Sequence, residues 1–183
     1  NTAVAQLCQG SLGDPIVNKT FGSGANPGPA LKAATTSYQY FSNDCPGDGF
    51  YTLRTNTTNC FGNSWHSLTA DHTGDPNGYF MLVNASVQPS AFYLDTVKGL
   101  CGGTTYEFAA WVMNVLKTTA CAPNPTQPNL TFTLERTDGT LLQAYNTNTI
   151  VSQTNPIWQQ FGFFFTTPAN ASEVVLRIFN NAP

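Results

Sequence analysis

At 183 residues the chain is long enough for one domain with its own core and short for two. Charged residues make up only 9% of it and aromatic residues 13%, with Thr, Asn, Gly and Pro frequent throughout, a profile of short strands and turns and not of helices. A net charge of −3 with seven scattered basic residues argues against a nucleic-acid partner, and no run approaches the roughly 20 apolar residues that helical membrane insertion requires.

Residues 1–15 hold small polar residues and close on a GDP turn. "IVNKTF" (16–21) reads as a first strand, and "GSGANPGPALKAATT" (22–36) as a loop laid over the surface. "SYQYF" (37–41) is strand-like, "NDCPGDG" (43–49) is a turn, and "FYTLRT" (50–55) alternates as a half-buried strand does. "SWHSLTA" (64–70) leads to the polar cluster "DHTGDPNGY" (71–79), and "YFMLVNASV" (79–87) is apolar on both faces, as a buried strand would be. "AFYLDTV" (91–97) follows. "TTYEFAAWVMNVL" (104–116) tolerates a helix, yet its Thr, Tyr, Phe, Trp and Val residues favour a strand.

Three prolines make "CAPNPTQPN" (121–129) a loop, and Asp138-Gly139 turns "LTFTLER" (130–136) back into "LLQAYN" (141–146) as a hairpin. "WQQFGFFFTT" (158–167) and "EVVLRIFN" (173–180) complete about ten short antiparallel strands. The expected architecture is all-β, a sandwich or barrel, in one domain spanning 1–183.

Five cysteines without a CxxC spacing indicate disulfides in an oxidising compartment rather than a zinc site. Of the three connectivities four cysteines allow, Cys45 with Cys60 and Cys101 with Cys121 each close a local loop, and these are the expected pairs. Cys8 is left over, either free or paired outside the chain. Sequons at Asn18, Asn56, Asn84, Asn129 and Asn170 permit glycosylation in a suitable host. No charged start with an apolar run is seen, so a secretory signal was either never present or has been removed.

The cluster at 71–79 gathers Asp71, Asp75 and Asn77, hard oxygen ligands suited to a structural Ca²⁺, although the EF-hand register fails at Gly78 and Leu82. Asx side chains in such a run also cap their own turns. For catalysis the chain offers His66 and His72 but no GxSxG elbow, and its acids, Asp71, Asp75, Asp95, Glu107, Glu135 and Glu173, show no pairing that a glycosidase would need. A non-catalytic chain is expected. Sugar rings stack on exposed aromatics. Trp65, beside His66, and Tyr79 are the expected ligand platforms, Trp111 is expected in the core, and Trp158 either packs across the sandwich or sits at its edge.

The segments "LCQGSLGDPIVNKTFGSGANPGPAL", "CFGNSWHSLTADHTGDPNGYFMLVNAS", "VKGLCGGTTYEFAAWVMNV" and "WQQFGFFFTTP…EVVLRIFNNAP" together resemble a jelly-roll domain of large secreted surface proteins of gliding bacteria. More distantly "W…DHT…GYFMLV" resembles the MAM adhesion domain, and "GTTYEFAAWV…W…F…FTTP" is similar to jelly rolls of the galactose-binding type. The resemblance implies a jelly-roll β-sandwich working outside the cell or at its surface. Its implied role is adhesion or carbohydrate binding, with a glycan or cell-surface partner. It implies a structural calcium near "NKTF", and a part for Asp71 in a cation site. It also implies a closing strand after "NNAP", carrying the partner of Cys8, which this sequence does not include. A groove left by that strand would accept one from another copy or another chain, so the alternative expectation is a subunit of an extracellular filament built by strand complementation.

Overall fold

The computed structural model describes residues 17–121 and 123–181, and its described residues form an all-β sandwich of nine strands. In chain order these are β1 (Gln39–Tyr40), β2 (Phe50–Arg54), β3 (Phe80–Asn84), β4 (Ser90–Lys98), β5 (Thr105–Val112), β6 (Asn129–Glu135), β7 (Leu141–Thr149), β8 (Gln159–Thr166) and β9 (Glu173–Asn180). They pair as β1-β2-β3, β4-β9-β6-β7 and β5-β8. All pairings are antiparallel except β1 with β2, a two-residue parallel contact that departs from the antiparallel expectation. No helix of the described residues is long and apolar enough to cross a membrane.

Strand parity explains the layers. On β5 the residues Tyr106, Phe108 and Val112 alternate with the exposed Thr105, Glu107, Ala109 and Trp111. The inward set meets Phe163 and Phe165 of β8 and packs on Leu134, Val174 and Leu176 of the four-stranded sheet. Phe108 lies 5.4 Å from Phe132 and 5.5 Å from Phe163 between ring centroids. This makes the 105–112 part of the 104–116 run a strand and not a helix, because an alternating face with one sheet beneath it needs a period of two.

β2 and β3 are covered on both faces, so the alternation of the 50–55 sequence does not mark a solvent face. Tyr51 and Leu53 stand opposite Val83 and Met81 and pack with Tyr38 and Tyr79 under the 21–40 segment. On the other face Leu82 and Phe80 join Cys60, Trp65 and Leu68 in a second cluster, against which Met113 and Trp158 pack.

Three expectations are corrected. The described part of the 16–21 segment, residues 17–21, forms no strand. Instead it is attached by side chains, Lys19 Nζ pairing with Asp95 at 2.8 Å and Phe21 meeting Tyr93 edge-on. The second is the half-buried reading of 50–55, whose Tyr51, Thr52, Leu53, Arg54 and Thr55 are all buried; beside them residues 64–70 contribute only bridges, Trp65 to Leu116 and Leu68 to Thr57.

The third correction concerns the cysteines. Cys45 and Cys60 are bonded as expected, with Cα atoms 5.4 Å apart. Cys101 is also in a disulfide, but not with Cys121, whose thiol is free and exposed. The extended β5 separates the two positions, and an eight-residue strand spans roughly 26 Å where a disulfide tolerates a Cα separation of about 7 Å. Beyond β5 the chain runs on along the 64–66 segment, Lys117 N–H bonding Ser64 O, and does not turn back to Cys101. The expectation for Cys8 lies outside the described residues.

Candidate functional site

The 71–79 run is a turn wound around one carboxylate. Asp71 Oδ1 accepts hydrogen bonds from Thr73 N–H at 2.8 Å, the Thr73 hydroxyl at 2.6 Å and Asp75 N–H at 3.1 Å. Asp75 Oδ1 accepts in turn from Asn77 N–H at 2.8 Å. A Cβ on Gly78 would collide with the Asp71 carboxylate, so only glycine lets the chain close here. The end of the loop is tied to the 22–25 segment by Gly24 N–H to Asn77 O, Tyr79 N–H to Gly22 O and the Tyr79 hydroxyl to Ala25 O.

Burial works against ionisation of Asp71. The bonds from the Thr73 hydroxyl and the Thr73 and Asp75 N–H groups, with the charge of His72, outweigh it and hold the carboxyl below the usual range. The expected cation ligands Asp71, Asp75 and Asn77 therefore share one loop, with a lone pair of each carboxylate directed at the loop's own N–H groups. Among the described residues no three of His, Cys, Asp and Glu stand together in a way that could hold a metal ion.

The two expected platforms lie inside the molecule. Trp65 is 8% exposed in the core beside Cys60 and Phe80, and Tyr79 is 8% exposed against Leu53 with its hydroxyl satisfied. His66 is buried too, its Nε2 2.9 Å from Gln153 O. His72 points elsewhere, onto Trp111.

Trp111 is the residue that reading the run as core placed wrongly. It is 46% exposed, and the His72 ring stacks on it at 5.3 Å and 24°. Trp158, half-buried, meets His72 at 6.2 Å and braces it from the side while its own ring packs on Phe80 at 6.1 Å. Trp111 shares the outer face of β5 and β8 with Gln160, Ala109, Gly162, Glu107 and Phe164, the last 69% exposed. Phe164 pairs with Glu107, four residues from Trp111, which sets the two rings roughly 13 Å apart along the strands. Between them the pair Ala109 and Gly162 leaves a low step. A Cβ at Gly162 would collide with the Phe108 carbonyl across the ladder, so this floor is flat by backbone necessity.

This face combines two solvent-exposed rings, a flat floor and two polar side chains on rigid strands. It can stack the apolar CH face of a ring-shaped polyol and hydrogen-bond its rim. Parity carried the signal for Trp111: it shares the parity of Glu107 and not that of Phe108.

A family model described as a carbohydrate binding domain matches residues 37–183. No curated protein and no solved structure matches the chain.

Proposed function

We propose, for a chain that belongs to the carbohydrate binding domain family, that the outer face of β5 and β8 is its saccharide platform. Trp111, backed by His72 and Trp158, would hold one sugar ring and Phe164 another further along the same chain, with Glu107 and Gln160 bonding hydroxyls between. The observation that carries the reading is the exposure of Trp111 together with its stacked support: an exposed indole fixed in orientation loses little entropy when a ring packs on it. The spacing of the two rings favours an oligosaccharide over a single sugar. A family of binding domains supports a role in attachment and not in bond cleavage. The Cys45–Cys60 disulfide fits a module that works outside the cell or at its surface, in adhesion to a glycan.

Affinity electrophoresis on soluble neutral polysaccharides (β-glucan, xylan and galactan) tests the platform. Trp111→Ala is expected to weaken retention at least tenfold, about 1.4 kcal/mol, while the chain stays folded with only a small drop in melting temperature from the lost His72 contact. Retention of Trp111→Ala equal to that of the unaltered chain would remove the face from consideration.

A further inference from the structure

We infer that the cavity between the turn at Asn26 and the segment 41–45 is a second saccharide site, taking a single neutral sugar residue through the Asp44–Arg54 pair. It is an open depression of about 710 Å³, a shallow seat for one ring, and shares no residue with the β5–β8 face. The ligand class rests on the reading above; the geometry does not.

Both walls are fixed by the fold. Asn26 donates its amide to Thr55 Oγ1 at 3.0 Å and Asn56 Oδ1 at 3.2 Å, and accepts from Thr55 N–H at 2.8 Å. On the opposite side Cys45 is bonded to Cys60, and the next residue, Pro46, is fully buried. Arg54 joins the lining from β2 and is 6% exposed. Its Nη2 lies 2.5 Å from Asp44 Oδ1, and its Nε is buried with no hydrogen-bond partner among the described residues.

The buried Nε is out of a ligand's reach, so only the guanidinium edge that lines the depression can bond one. Asp44 supplies one oxygen, and its side chain is 55% exposed, which leaves the carboxylate accessible beside the cavity. Donor and acceptor therefore stand side by side, the pattern that matches neighbouring hydroxyls of one sugar ring. Their charges cancel, which favours a neutral ligand over an anion or a cation. Phe41, held edge-on to Phe50 at 6.0 Å, offers an apolar wall for the CH face of the ring.

The test is an amide and indole NMR titration of the full chain with the methyl glycosides of glucose, galactose, mannose and xylose. Glucuronate and glucosamine serve as charged probes. The expected result is a set of shifts at Phe41 and Asn43 that saturates independently of the Trp111 indole. Asp44→Asn should weaken the first set at least tenfold and spare the second. Asn43→Trp, which fills the cavity and leaves the ion pair intact, should do the same, so that a folding defect in one variant does not decide the outcome. Shifts confined to Trp111, undiminished binding in both variants, or tighter binding of either charged probe would overturn the site. Shifts confined to Phe41 and Asn43 would support it and leave the β5–β8 platform to its own polysaccharide test, and no shifts at Phe41 and Asn43 would overturn the site.

Discussion

Asp71 organises its loop by accepting three hydrogen bonds on one oxygen, so removing the carboxylate leaves three donors without their acceptor. Asp71→Ala is expected to lower stability by about 1–2 kcal/mol, the low end for bonds to a charged group because the loop is partly exposed. The folded carboxyl sits below its unfolded value of about 3.9, so its contribution is complete above that pH and is lost as pH falls through the folded value. Urea denaturation from about pH 5 down to pH 2 should therefore show a fall that is shallower in Asp71→Asn. Asp138, lowered by hydrogen bonds from Thr140 but fully exposed, adds the same small background to both proteins. The loss in Asp71→Ala should be equal in calcium and in chelator; a calcium-raised melting temperature that the substitution abolishes would instead assign the loop to a cation. The polar density of 71–79 was legible in the sequence, and so was its capping chemistry. That His72 leaves the loop to stack on Trp111 was not, because the contact joins segments almost 40 residues apart and leaves no local pattern.

Among the elements, the β5–β8 ribbon bears the most consequence, since its inner face fills the core and its outer face forms the platform. Gly162 lets the two strands approach. Gly162→Val should force Ala109 and the Phe108 carbonyl aside and cost about 1–3 kcal/mol, an overpacking penalty read by urea denaturation. It should also weaken saccharide retention, because the step between Trp111 and Phe164 rises. The strand character of 104–116 was readable from its β-branched and aromatic residues. Its facing needed one more step, following Glu107 through Ala109 to Trp111, which local apolar density around Phe108 and Val112 obscured. The 17–21 segment misled for the opposite reason: it has strand composition, but Lys19 and Phe21 meet Asp95 and Tyr93 of β4 through their side chains and not in a backbone ladder.

For the molecule as a whole, sequence proximity identified one disulfide and misled on the other. Cys45 and Cys60 flank a strand that returns through the 57–60 turn, so nearness along the chain became nearness in space. Cys101 and Cys121 flank a strand that does not return. Replacing Cys45 and Cys60 by Ser is expected to lower stability by about 3 kcal/mol, the chain-entropy figure for a 15-residue loop, measured by urea denaturation under non-reducing conditions. The same bond holds one wall of the cavity, so the double variant should also lose the Asn43 shifts while keeping those of Trp111.

The order of the strands also has a temporal side. β4, complete at Lys98, finds its ladder partner only in β9, whose first residue is Glu173. At roughly 5–20 residues per second the ribosome needs several seconds to deliver one after the other. Through that interval β4 lacks its ladder partner among the described strands, and β6 has only its hairpin neighbour β7. The nascent chain thus carries an open edge while the residues from Lys98 to Glu173 are added. Those seconds are the interval in which aggregation and chaperone capture compete with folding of this chain.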